Sequence, residues 1–150
     1  MLYIHVALPG QAADAIQGRS MRITATPPVE TILLVEHEPS IRRLIRHALE
    51  GQGYRVFEVT NGQQAMVVAE RHASEIDLLV TDVTLPDLHG ADLAYCLGAI
   101  MKVLFVSGRT ADDARLRPVL WRTSIPLNPF RADELQRSVR RVLDAAPLAA

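Results

Sequence analysis

A single cysteine in 150 residues, Cys96, excludes an internal disulfide and with it the stapled scaffold of small secreted domains. On a helical stretch a lone cysteine reads as a small buried apolar residue rather than a nucleophile. There is no basic excess either. Sixteen Lys and Arg stand against 17 Asp and Glu, for a net charge of −1, so neither a nucleic acid nor an anionic membrane surface is expected as a partner. Long apolar runs are missing as well: Met1 to Leu8 has no basic start and Pro9-Gly10 cuts it short. A secretory signal is therefore set aside despite the peptidase-like Ala13-Asp14-Ala15, and the chain reads as cytoplasmic. Finally, no Gly-x-Gly-x-x-Gly turn and no Ser/Thr-rich first loop is present, which argues against a dinucleotide or flavin protein.

What is present is one domain's length, enough for a real core, with no residues left over for an output module on this reading. Residues 1–29 carry Pro9-Gly10, Gly18, Arg19-Ser20 and Pro27-Pro28, which is turn and linker chemistry. They read as a flexible or partner-dependent extension, with Met21 an alternative start. The domain proper is expected over 30–146, followed by a short tail, 147–150.

From Thr31 onward, short apolar runs alternate with stretches of helical period. Ile32 to Val35, Leu78 to Val80 and Val103 to Val106 are apolar at every residue, as in strands covered on both faces. Ile41, Leu44, Ile45, Ala48 and Leu49 fall on one helix face, with Pro39 suited to the first turn and Gly51 and Gly53 to the stop. Tyr54 to Val59 predicts a second, more exposed strand. Asn61 and Gln64 predict a capping box for a helix through Ala65, Val68, Ala69 and His72. Pro86 and Gly90 frame a loop into a short helix over Ala91 to Ala99. A further helix is expected over Thr110 to Leu120, a last strand near Ser124 to Leu127, and a final helix with Leu135, Val139, Val142 and Leu143 on one face. Ten elements in strict β-α alternation imply a doubly wound α/β sandwich.

Four apolar runs end in a residue able to do chemistry: Leu33-Leu34-Val35-Glu36-His37-Glu38-Pro39, Leu79-Val80-Thr81-Asp82, Leu104-Phe105-Val106-Ser107-Gly108 and Leu127-Asn128-Pro129-Phe130. In an open parallel sheet the working residues sit just past the carboxyl ends of the strands. Function is therefore sought at Glu36, His37, Asp82, Ser107 and Asn128.

In order and spacing these motifs resemble the receiver domain of two-component response regulators, over about Thr31 to Ala145. Val35 to Arg43 resembles the family's acidic-pair segment, Leu79 to Gly90 its phosphoacceptor segment, and Asn128-Pro129-Phe130 its lysine-proline-phenylalanine. The resemblance implies a flavodoxin-like five-stranded parallel sheet of order 2-1-3-4-5 with helices on both faces. Two of the family's five working positions are altered: the second acid of the pair is His37, and the lysine is Asn128. The stretch from Gly90 to Met101 is several residues shorter than usual for the family, so local distortion is expected there.

The resemblance assigns Asp82 as the phosphorylated nucleophile, a carboxylate that attacks phosphorus in line and holds it as an acyl phosphate. Glu36 and Asp82, with the backbone of Thr84, would hold Mg2+, which takes oxygen ligands in octahedral geometry and tolerates a glutamate reaching through water. His37 stands where a carboxylate normally touches the ion. It admits three readings: a lost magnesium ligand, a cation that pairs with Asp82 when protonated, or a transition-metal ligand. Magnesium binding is accordingly expected to be weak or lost. Glu38 belongs at the start of the first helix, where a carboxylate favours the dipole.

Ser107 matches the hydroxyl that bonds the phosphoryl group, and its chemistry is intact. Asn128 keeps a donor but loses the cation. Ile125 stands where the family often has an aromatic that swings with the hydroxyl. Arg42, Arg43, Arg46 and His47 share the exposed side of the first helix, a solvated face or a guide for an acidic partner.

The resemblance thus implies a stand-alone receiver that accepts a phosphoryl group from a histidine kinase or phosphotransfer protein and signals through protein contacts, with a homodimer open. The alternative is a degenerate receiver acting as a phosphorylation-independent interaction module. An enzyme is not expected: Asp82-Val83-Thr84 lacks the second acid, two residues on, that aspartate-based phosphatases need.

Overall fold

Thr31 to Val35 are buried at all five positions, the environment that an unbroken apolar run demands of a central strand. The protein is seen here as a computed structural model that describes residues 29–107, 124–126 and 131–146. The expected helix over 110–120 and residues 1–28, 127–130 and 147–150 lie outside the described residues.

Five parallel strands, β1 (Thr31–Val35), β2 (Arg55–Val59), β3 (Leu78–Thr81), β4 (Lys102–Ser107) and β5 (Ser124–Pro126), form one sheet in the order β2-β1-β3-β4-β5. Helices α1 (Pro39–Glu50), α2 (Gly62–His72), α3 (Gly90–Leu97) and α4 (Ala132–Asp144) cover it. Because strand side chains alternate, the buried runs divide into two cores. Leu33, Val35, Leu79, Val103 and Phe105 pack with Ala65, Ala69 and Ala94 of α2 and α3. Ile32, Leu34, Leu78, Val80, Leu104 and Val106 pack with Ile45, Leu49, Leu135 and Val139 of α1 and α4. This is the doubly wound sandwich that the strand pattern and the resemblance imply.

Register positions the site. Val35 pairs with Thr81, and Thr81 with Phe105, so Glu36 and Asp82 leave adjacent strands at the same level. The Asp82 amide still donates to the Val35 carbonyl at 3.0 Å. Both carboxylates are thus carried at the ends of two adjacent interior strands of the sheet.

α1 begins as expected, with Glu38 at the N-cap accepting from the Ser40 amide and Pro39 in the first turn. Its buried seam is narrower than the periodicity implies. Ile45 and Leu49 are fully buried, but Leu44 is 49% exposed, because it lies roughly 120° around the helix from that seam. α2 is capped by Asn61, which accepts from the Gln64 amide at 2.9 Å, while Gln64 reaches back to the Thr60 amide at 3.0 Å.

The short Gly90 to Met101 stretch forms a regular eight-residue helix, Gly90–Leu97, that buries Ala91, Leu93, Ala94 and Leu97. With those four filling its inner face, Cys96 is exposed, not buried as its residue type implied. None of the described helices is long and apolar enough to cross a membrane.

Candidate functional site

Glu36 is a charged side chain where the strands allow little solvent: it is 1% exposed. Its carboxylate accepts the Glu38 amide at 2.8 Å, a bond that bends the chain from β1 into α1. Burial pushes the Glu36 carboxyl above its ordinary range, the Glu38 amide opposes this, and the Asp82 charge adds to it.

Since a raised pKa means the folded state holds the proton more tightly than the unfolded chain, this group's contribution is most favourable below about pH 4 and is lost as pH rises through the folded pKa. Glu36→Gln removes the buried charge and keeps an acceptor for the Glu38 amide. It is expected to raise Tm at neutral pH and to leave it nearly unchanged in acid, as read by thermal unfolding across pH.

Asp82 emerges beside Glu36, its own carbonyl accepting the Thr81 hydroxyl at 2.9 Å. Between the two carboxylates stands His37, half exposed, with Nδ1 3.3 Å from Glu36 Oε1 and 3.6 Å from Asp82 Oδ2. The three residues offer ligand atoms within 4.8 Å of one another. The structure therefore brings together Glu36, His37 and Asp82.

Thr84 is exposed, and its backbone forms an isolated antiparallel bridge with His89. Ser107 ends β4 in register with Pro126, and Ile125 in β5 is paired with Val106, so both belong to the same end of the sheet as Asp82. Asn128 lies outside the described residues.

Three residues that frame the site were not singled out for it by sequence. Arg42 donates Nη1 to the carbonyls of Glu36 at 2.9 Å and His37 at 3.2 Å, bracing the loop that carries them. In sequence it is one basic residue on a basic helix face. Asp87 accepts from the Gly62 and Gln63 amides at 2.9 and 2.8 Å. It thereby ties the loop after Asp82 to the start of α2, where a carboxylate suits the helix dipole. His89 caps α3, accepting the Ala91 amide on Nδ1 at 3.1 Å; only its place before a Gly-Ala helix start could have signalled that. Gly90 follows, its amide donating to the Val83 carbonyl at 2.7 Å.

Two carboxylates and one imidazole can ligate a divalent cation. They do not fit magnesium as three direct ligands, because that ion takes oxygen donors and His37 supplies nitrogen.

Residues 32–119 match the response regulator receiver domain family. The chain belongs to that family. This receiver is 33% identical over 118 residues to the sensor kinase CckA of Brucella abortus, a match covering 76% of this chain and 12% of the kinase. It is 32% identical over 129 residues to the response regulator receiver protein CpdR of the same organism, covering 79% of this chain and all of CpdR. Two transcriptional regulatory proteins and a response regulator that it also matches are spanned over only half their length. Among solved structures, chemotaxis response regulator CheY4 of Vibrio cholerae superposes with a TM-score of 0.68 at 21% identity, over 76% of this receiver and 98% of that chain. That likeness speaks for the fold alone, a flavodoxin-like parallel sheet covered by helices.

Proposed function

We propose that the receiver domain, residues 30–146, accepts a phosphoryl group on Asp82 from a histidine kinase or phosphotransfer protein of a cytoplasmic two-component pathway. It then signals by protein contacts rather than by an activity of its own. The observation that carries this reading is the register of β1 and β3, which sets Asp82 beside a buried Glu36 at the carboxyl edge of the sheet. A carboxylate in that position is held by backbone on both strands and is still open enough, at 12% side-chain exposure, to meet a donor.

In the transfer an ionised Asp82 oxygen attacks phosphorus in line as the bond to the donor's imidazole nitrogen breaks, giving an acyl phosphate while the departing imidazole takes up a proton from solvent. Glu36 maintains the negative pocket that a bound cation would neutralise. In this reading the Ser107 hydroxyl and the Asn128 amide donate to the phosphoryl oxygens, and Ile125 of β5 replaces the usual aromatic switch. Stand-alone action is favoured by the likeness to CpdR, which this chain covers completely.

A second reading is supported by His37: an imidazole 3.3 and 3.6 Å from the two carboxylates, standing where the family carries an acid, favours a receiver surface that works without phosphorylation. Incubation with acetyl phosphate or a histidine kinase, followed by intact-protein mass, separates the two. Labelling of the wild type that is absent in Asp82→Asn is expected. No label on the wild type under conditions that label an ordinary receiver overturns phosphoryl acceptance and leaves the scaffold reading.

A further inference from the structure

The trio Glu36, His37 and Asp82 has a donor chemistry that oxygen-only receivers lack, and its ligand atoms all lie within 4.8 Å of one another. A tetrahedral ion with ligand distances near 2.0 to 2.1 Å needs donor atoms about 3.3 Å apart. Nδ1 of His37 lies 3.3 Å from one carboxylate oxygen and 3.6 Å from the other. Imidazole and carboxylate together suit borderline ions such as Zn2+ and Co2+, whereas magnesium favours water and carboxylate over nitrogen. Charge points the same way: Glu36 is a buried carboxylate whose one ion-pair partner among the described residues is His37. As metal ligands the imidazole is neutral and the two carboxylates are ionised, so a dication meets two negative charges. His37 is half exposed, so the fourth position opens to solvent.

We propose that Glu36, His37 and Asp82 form a site for a divalent transition-metal ion, of which Zn2+ is the best fit, in preference to Mg2+. The inference shares Asp82 with the phosphoacceptor reading and rests on it only for the identity of the site. The three side chains supply three ligands, and water or a phosphoryl oxygen supplies the fourth. Arg42, bonded to the carbonyls of Glu36 and His37, fixes the loop that orients the imidazole.

The test uses the full chain stripped of metal with a chelator and titrated with Co2+, whose visible absorption reports tetrahedral nitrogen and oxygen coordination. One ion per chain is expected, displaced by stoichiometric Zn2+ and retained in a large excess of Mg2+. His37→Ala is expected to lose the absorption and His37→Asp to reverse the preference towards Mg2+, each by about tenfold or more in affinity; circular dichroism checks that both remain folded. Competition by Mg2+ at comparable concentration, no Co2+ absorption at all, or absorption that survives His37→Ala overturns the proposal. The last result would move the ion to another group such as the exposed pair His72 and Glu75, 2.9 Å apart. Acetyl phosphate labelling of the same preparation reads the phosphoacceptor assignment separately, because the absorption titration needs no phosphoryl transfer.

Discussion

Restoring both altered positions, His37→Asp with Asn128→Lys, is expected to speed acyl-phosphate formation on Asp82 far beyond the wild type. Each change supplies a missing electrostatic contribution: an oxygen ligand where Nδ1 now stands 3.6 Å from Asp82 Oδ2, and an ammonium on the phosphoryl oxygens. Preorganised contacts to developing charge are worth on the order of 3 kcal/mol each, about a hundredfold in rate. Because both act on one transition state, the double variant is expected to fall short of the product of the singles. The measurement is the initial rate of labelling by acetyl phosphate in Mg2+ for the wild type, both single variants and the double. A double variant no faster than wild type would show that the site differs from an ordinary receiver beyond these two residues.

Gly90→Ala is expected to be the most damaging small substitution. A Cβ at position 90 would sit 2.2 Å from the Asp82 carbonyl oxygen and 3.0 Å from Val83 Cα, and neither backbone atom can rotate away. Relief requires α3 to move off β3 or the Asp82 peptide to shift. A cost of about 3 kcal/mol is expected, or roughly 10 °C in Tm for a domain of this size, with loss of Asp82 labelling in whatever remains folded. Two glycines calibrate the result. Gly53, at φ +89° with nothing near a Cβ, should cost about 1 kcal/mol through backbone strain alone. Gly62 would meet only the side chain of Leu88, which can rotate, so Gly62→Ala should fall below Gly90→Ala. Thermal unfolding followed by circular dichroism ranks the three; a Gly90→Ala Tm near wild type would mean that the loop after Asp82 yields.

Much of this architecture was legible because local and global preferences agree. Pro39, Asn61 and Gln64 mark helix starts by chemistry that depends only on neighbours, and the strands β1, β3 and β4 announce themselves by apolar runs. Strand order cannot be read from spacing and came through the resemblance. Leu44 and Cys96 were misplaced for a common reason: apolar residues outnumber the positions that a helix buries against one sheet, and the sequence does not mark the edge of that strip. At the site, strand-end position alone picked out Glu36, His37 and Asp82. Arg42, Asp87 and His89 escaped because their partners are backbone carbonyls and amides, which have no side-chain signature, and for Asp87 those partners lie about 25 residues away.

The ion pairs of Arg140 have a topological consequence. Its guanidinium holds Glu30, just ahead of β1, at 2.8 Å and Asp144, in the last turn of α4, at 2.7 Å. Lys102 adds bonds to the carbonyls of Leu143 and Ala145 at 2.5 and 2.7 Å. The two ends of the folded unit therefore meet at one seam, on the edge of the sheet opposite Asp82. A fold closed in this way can be spliced into a loop of another polypeptide, or its ends joined and the backbone reopened elsewhere, without drawing the strands apart.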